Sequence, residues 1–70
     1  MFARNLRRAR RLKDLTQEGL ALDAEVPRAY LSRVERATIN ISIDNADALA
    51  RALGVPLHDL VDPGKFLGLD

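Results

Sequence analysis

The sequence predicts an all-α fold built from five short helices. Three observations support this prediction: apolar residues recur at helical spacing, Thr, Ser or Pro precede the helical segments, and Gly or Pro follow several of them. Seventy residues allow one domain with a single small core, so a large enclosed substrate pocket is not expected. We expect the helical domain over residues 1–62 and a short apolar C-terminal tail over residues 63–70.

Residues 2–13 are expected to form a basic amphipathic first helix. Phe2, Leu6 and Ala9 share its apolar face. The opposite face is rich in arginine and holds Arg4, Arg7, Arg8 and Arg11. Such a helix could also lie on a membrane surface, but its apolar face is narrow and is needed to cover other helices, so we expect no membrane binding.

A second helix follows after Thr16, which is a good N-cap because its hydroxyl can accept from amides of the first turn. Leu20, Ala21 and Ala24 then form a small apolar face that permits close packing. Pro27 disfavours helical backbone at the preceding residue and suits the start of the next helix. The second helix should therefore end by about Ala24.

The third helix has two chemically different faces. Leu31 and Val34 lie on one side, with Glu35 at its edge. The other side combines small or hydroxylated residues with two guanidinium groups, namely Ala29, Ser32, Arg33 and Arg36. An α-helix fits the DNA major groove, where Arg pairs bidentately with guanine, although an ordinary solvated face has the same composition.

The remaining segments complete the helical pattern. Residues 37–41 lack periodicity and are expected to form a loop, after which Ser42 caps a fourth helix that Gly54 ends. A short fifth helix is expected over residues 56–61. The predicted core contains Leu6, Leu20, Leu31, Val34, Leu49, Leu53, Val55 and Leu60. Phe66, Leu67 and Leu69 of the tail either fold back onto the domain or pack against a second subunit.

Charge and composition narrow the function. Residues 1–36 hold nine basic and five acidic residues, whereas residues 37–70 hold two basic and five acidic ones, so the half with the third helix can face a polyanion. The chain lacks cysteine and has one histidine, and its carboxylates are scattered. No apolar run approaches a membrane span of about 20 residues. We expect a cytoplasmic, non-enzymatic protein without cofactor, metal or small-molecule ligand.

Several sequence segments resemble the Cro-type, lambda-repressor-like helix-turn-helix family. LTQE at residues 15–18 is similar to the family's entry into its first motif helix, and YLSRVER at residues 30–36 is similar to its recognition helix. NISI at residues 40–43 and LARALGV at residues 49–55 resemble its loop and fourth helix. The resemblance spans nearly all of residues 2–62. Four residues differ from the family pattern, and these differences bear on the local backbone geometry more than on function: Gly19, Glu25, Pro27 and Ala37.

The resemblance implies a sequence-specific transcription regulator that binds duplex DNA as a homodimer on a pseudo-palindromic operator. Stand-alone phage-type repressors and restriction-modification controller proteins are similar in this respect. It also implies an ion pair between Arg10 and Glu35 that positions the recognition helix. The alternative is an antitoxin-like interaction module that uses the same fold mainly to bind a partner protein.

Candidate DNA contacts lie in the second helix, the third helix and the following loop. Base reading is expected chiefly from Arg33, with Arg28 shared between a base and the backbone. Contacts to the DNA backbone are expected from Gln17, Tyr30 and Asn40, although Asn40 could instead make local turn hydrogen bonds. The complete predicted set is Gln17, Arg28, Ala29, Tyr30, Ser32, Arg33, Arg36, Thr38 and Asn40.

Overall fold

The computed structural model describes residues 1–66, and every regular element in this part of the chain is a helix. The elements are α1 (Phe2–Leu12), α2 (Gln17–Ala24), α3 (Arg28–Glu35), α4 (Ile43–Leu53) and α5 (Leu57–Leu60). The second helix packs against α3 and α4, whereas α1 packs against α3 and α5. The predicted all-α, five-helix fold is confirmed, with the ends of α1 and α5 within one residue of expectation.

The helix starts follow the capping residues. Thr16 Oγ1 accepts a hydrogen bond of 2.9 Å from the amide of Gly19, and Ser42 Oγ accepts one of 3.2 Å from the amide of Asn45. Pro27 is the N-cap of α3, where no side chain caps the first turn. Proline supplies suitable backbone geometry at a helix start but no acceptor side chain.

Four helix ends share one backbone motif. Asp14, Glu25, Ala37 and Gly54 have φ of 57°, 59°, 58° and 72°. In each case the next amide donates to the carbonyl oxygen five residues earlier, at 3.0 or 3.1 Å. This left-handed ending is typical of Gly, yet three of the four residues carry a Cβ atom. Glu25 and Ala37 therefore keep the turn that Gly would form, but their backbone is strained there.

The core contains seven of the eight residues predicted for it. Six leucines from all five helices are fully buried, and Val34 is buried beside them. Val55 is only half-buried, because it follows the turn at Gly54 and lies at the edge of the core. Phe66 is buried in the same core, so this tail residue packs within the chain. Leu67 and Leu69 lie outside the described residues.

Two polar residues of α1 bind backbone carbonyl groups of residues 60–66. The fully buried Asn5 donates through Nδ2 to the carbonyl oxygens of Leu60 and Asp62, at 3.0 and 2.7 Å. Arg8 is also buried, and its Nη1 donates to the carbonyl oxygen of Phe66 at 3.3 Å. The expected exposed position of Arg8 is wrong, because carbonyl groups in and after α5 need donors that α1 supplies.

Candidate nucleic-acid interface

The outward face of α3 forms an open groove on the surface. Its lining combines three exposed guanidinium groups with two small side chains, and consists of Arg28, Ala29, Ser32, Arg33 and Arg36. Leu31 and Val34 of the same helix are buried in the core. The structure therefore brings five of the nine predicted contact residues onto one surface, as the helical periodicity indicates.

A buried ion pair fixes the C-terminal end of α3. Arg10 donates to both carboxylate oxygens of Glu35, from Nε at 2.7 Å and from Nη2 at 3.0 Å. The side chain of Glu35 is 2% exposed and that of Arg10 is 13% exposed. Arg10 also donates from Nη1 to the carbonyl oxygen of Leu15 at 2.8 Å. The implied pair is present, and its two parallel bonds restrict the orientation of α3 on α1.

Two further donors reach Glu35 from neighbouring helices. Gln17 Nε2 donates to Glu35 Oε1 at 3.0 Å, and Arg7 Nη1 donates to the Glu35 carbonyl oxygen at 2.8 Å. Gln17 also lines a surface groove that contains Arg28 and Thr16. The sequence interpretation assigned Gln17 to the DNA backbone and missed its bond to Glu35, for which no local pattern gives a signal.

Tyr30 lies on the flank of α3, partly buried against the core. Its hydroxyl oxygen accepts a hydrogen bond of 3.0 Å from Nδ2 of Asn45, in the first turn of α4. The sequence interpretation placed Tyr30 among the backbone contacts but did not identify Asn45. A connection of this kind cannot be found from spacing, because 15 residues and a loop separate the two side chains.

Thr38 and Asn40 occupy different environments in the loop after α3. The amide and the hydroxyl of Thr38 both bond to the carbonyl oxygen of Arg33, at 3.0 Å each. Both Thr38 donors are therefore used at the end of α3, where they satisfy a terminal carbonyl group. Asn40 is exposed and lines a surface groove with Ile39 and Ala37. The structure thus leaves the Asn40 amide accessible and Thr38 bound to α3.

Other kinds of site receive no support from residues 1–66. Within that range, no group of three or more His, Cys, Asp or Glu side chains could hold a metal ion. None of its helices has the length and apolar character to cross a membrane.

Residues 6–60 match the Helix-turn-helix family. The chain belongs to this family. The match extends from the core residue Leu6 in α1 to the core residue Leu60 in α5, so it includes both motif helices, α2 and α3. The family inferred from the sequence segments is confirmed.

The relatives of this helix-turn-helix protein are regulators. It is 40% identical over 63 residues to control protein C.BamHI of Bacillus amyloliquefaciens, covering 89% of this chain and 78% of the relative. The restriction-modification controller protein C.AhdI from Aeromonas hydrophila has a TM-score of 0.83 at 39% identity, covering 84% of this chain and 89% of that chain. The structure of SinR, a master regulator for biofilm formation, in complex with DNA has a TM-score of 0.83 at 32% identity. The match covers 89% of this chain and 100% of that chain. These similarities confirm a regulator rather than an enzyme.

Proposed function

We propose that this helix-turn-helix protein binds duplex DNA sequence-specifically and regulates transcription, with α3 in the major groove. The observation that carries the proposal is the exposed α3 groove, in which guanidinium groups lie beside Ala29 and Ser32. Small side chains let a helix approach the bases, and a guanidinium group matches the two acceptors of guanine. The similarity to SinR, whose structure contains DNA, supports the same proposal.

The arginines of α3 have different proposed roles. Arg33 reads a base, because it projects from the outward face and is exposed. Arg28 begins the helix and lines both the α3 groove and the neighbouring groove with Gln17, so it reaches a base and the backbone. Arg36 follows the last turn and adds positive charge at the end of the face.

Contacts to the DNA backbone fix the position of α3 along the duplex without reading the base sequence. We assign them to Gln17 on one side of α3 and to Tyr30 and Asn40 on the other. The bond from Gln17 to Glu35 holds this side chain at the groove edge. Thr38, whose donors are used within the chain, shapes the loop that presents Asn40.

The proposed active form is a homodimer on a pseudo-palindromic operator. One short helix offers few base contacts, and two copies double the contacted sequence. The Cα atoms of the chain extend 28 × 24 × 20 Å. For such a dimer to bind both half-sites, its two α3 helices must lie about 34–36 Å apart, one turn of DNA.

An apolar groove between α1, α4 and α5 is the proposed dimer surface. It is lined by Phe2, Ile41, Ile43, Ala46, Leu57, His58 and Val61. Ile43 is 75% exposed and Val61 is 53% exposed, which is unfavourable unless another surface covers them. The groove shares no residue with the α3 groove, so a second copy can occupy it while both recognition helices remain free.

Arg33→Ala tests the proposed reading of bases. After selection of bound duplexes from a random pool, fluorescence anisotropy compares the selected site with a scrambled duplex. We expect Arg33→Ala to lose about 1–3 kcal/mol on the selected site and to relax preference at one base position of each half-site. The control, Asn40→Ala, should weaken binding to both duplexes by a similar factor, because a phosphate contact carries no sequence information.

Salt dependence and the scrambled duplex separate the possible outcomes. Wild-type affinity should fall steeply with salt, because each neutralised phosphate releases counterions. An equal loss on both duplexes for Arg33→Ala would make Arg33 a phosphate contact and refute its assignment to a base. If the wild-type protein binds neither duplex, the DNA-binding proposal fails and the interaction module becomes the better explanation.

A further inference from the structure

Asn45 and Tyr30 connect α4 to the flank of the recognition helix. Asn45 Nδ2 lies 3.0 Å from Tyr30 Oη, and both side chains are partly buried. Tyr30 is roughly 60° from Arg33 around α3, so it lies at the border of the exposed face. The contact therefore joins the scaffold to the edge of the proposed DNA surface.

The polarity of this hydrogen bond determines what the Tyr30 hydroxyl can do next. A phenol has one hydrogen to donate and two lone pairs that accept. Asn45 donates to one lone pair, and within residues 1–66 no acceptor is bonded to the phenol hydrogen. Phosphate oxygens are acceptors only. Because Asn45 donates to the hydroxyl oxygen, the hydroxyl hydrogen remains to be donated to a phosphate oxygen of DNA.

Asn45 is itself held in place by the first turn of α4. Its amide donates to Ser42 Oγ at 3.2 Å, which fixes the backbone at this position. The fourth helix in turn packs against α2, the other helix of the motif. The Asn45 side chain can therefore hold the phenol from a fixed point and favour one of the two in-plane orientations of its hydroxyl hydrogen.

We propose that Asn45 is a positioning residue that orients the Tyr30 hydroxyl to donate to a DNA phosphate. This inference rests on the proposed function and extends it to a residue outside the motif helices. Asn45 acts through Tyr30, so its effect on DNA affinity requires the Tyr30 hydroxyl. The effect is independent of base sequence, since a phosphate is the acceptor.

A double-mutant cycle tests the coupling. Affinities for the selected duplex are measured by anisotropy for wild type, Asn45→Ala, Tyr30→Phe and the double variant. We expect Asn45→Ala to weaken binding about 2–10-fold when Tyr30 is present, as loss of one hydrogen bond predicts, and by less than about 1.5-fold in the Tyr30→Phe background. Asn40→Ala is the control, because its loss should be the same in both backgrounds. Equal losses for Asn45→Ala in both backgrounds would overturn the proposal.

Two readouts separate this proposal from the proposed function. The chain has one tyrosine and no tryptophan, so the tyrosine emission of the free protein reports on Tyr30 alone. Asn45→Ala should change that emission without DNA, and an unchanged spectrum would show that the contact is absent in solution. The salt slope of binding should be unchanged, because no charge is removed. Failure of wild type to bind any duplex would instead refute the proposed function.

Discussion

The first three helices contain a buried ion pair, whereas α4 and α5 bury only apolar side chains. Between α1, α2 and α3, directional bonds to a buried carboxylate determine the orientation, since Glu35 receives bonds from Arg10 and Gln17. In α4 and α5 the buried residues are apolar, and the pair between Asp47 and Arg51 is exposed. Ion pairs with two parallel bonds restrict orientation, whereas apolar packing is non-directional. Directional polar bonds therefore restrict the orientation of α3, the proposed recognition helix, on α1 and α2.

The same comparison separates the two exposed surfaces. The outer face of α3 is polar and cationic, whereas the groove beside α4 and α5 is apolar. Residues 1–36 carry a net charge of +4 and residues 37–70 one of −3. A cationic polar face suits a polyanion, whereas an exposed apolar groove suits a protein partner. The two halves thus present surfaces of different chemistry.

Removal of Glu35 is expected to give the largest effect. Glu35→Ala leaves the guanidinium group of Arg10 largely buried without its carboxylate, which should lower the free energy of unfolding by about 3 kcal/mol. Arg36→Ala is the matched control, because this neighbouring arginine is exposed and should change stability by less than about 0.5 kcal/mol. Urea midpoints of both variants provide the measurement. Equal midpoints would show that Glu35 has no structural role and that the buried ion pair does not distinguish α1–α3 from α4 and α5.

A charge in the apolar groove should weaken the proposed dimer. Burying an isoleucine side chain contributes about 1.5–3 kcal/mol, so Ile43→Asp should raise the dimer dissociation constant by at least about 10-fold. Leu22→Asp is the matched control, since Leu22 on α2 is 77% exposed against 75% for Ile43. Sedimentation equilibrium measures both variants. If Leu22→Asp disrupts assembly and Ile43→Asp does not, the dimer forms through α2 and not through the apolar groove.

Two helix endings, one in each half, allow a smaller and reciprocal test. Ala37 after α3 and Gly54 after α4 both have left-handed backbone. Ala37→Gly should stabilise the protein by about 0.5–1 kcal/mol, because relief of left-handed strain exceeds the entropy cost of Gly. Gly54→Ala should destabilise it by a similar amount, because a residue with a Cβ atom is strained at φ 72°. The added Cβ itself meets no clash, since it would lie 3.6 Å from Lys13 Nζ.

Thermal and urea unfolding of these two variants measure the difference. Opposite signs are expected, because each substitution exchanges the same two residue types at the same backbone conformation. A destabilising Ala37→Gly would indicate that the α3 ending is held by packing of the Ala37 side chain rather than strained by it.

Local sequence signals predicted most of the fold. Thr16, Ser42 and Gly54 begin or end helices where expected, because capping depends on a few neighbouring atoms. Apolar periodicity identified the buried leucines for a similar reason. The helix wheel also placed Ala29, Ser32 and Arg33 on the outward face, and the structure has them on one groove. Their contacts with DNA stay a prediction.

The sequence by itself determined the helices, the faces that they bury and the helix-turn-helix resemblance, because each depends on spacing within one element. Only the tertiary structure decided the partners of polar side chains. Gln17 bonds Glu35, Asn45 bonds Tyr30 and Asn5 bonds the carbonyl groups after α5, across 15 to 57 residues. A polar side chain satisfies its hydrogen bonds with whichever donor or acceptor packing brings near, and that neighbour exists only once the helices have assembled.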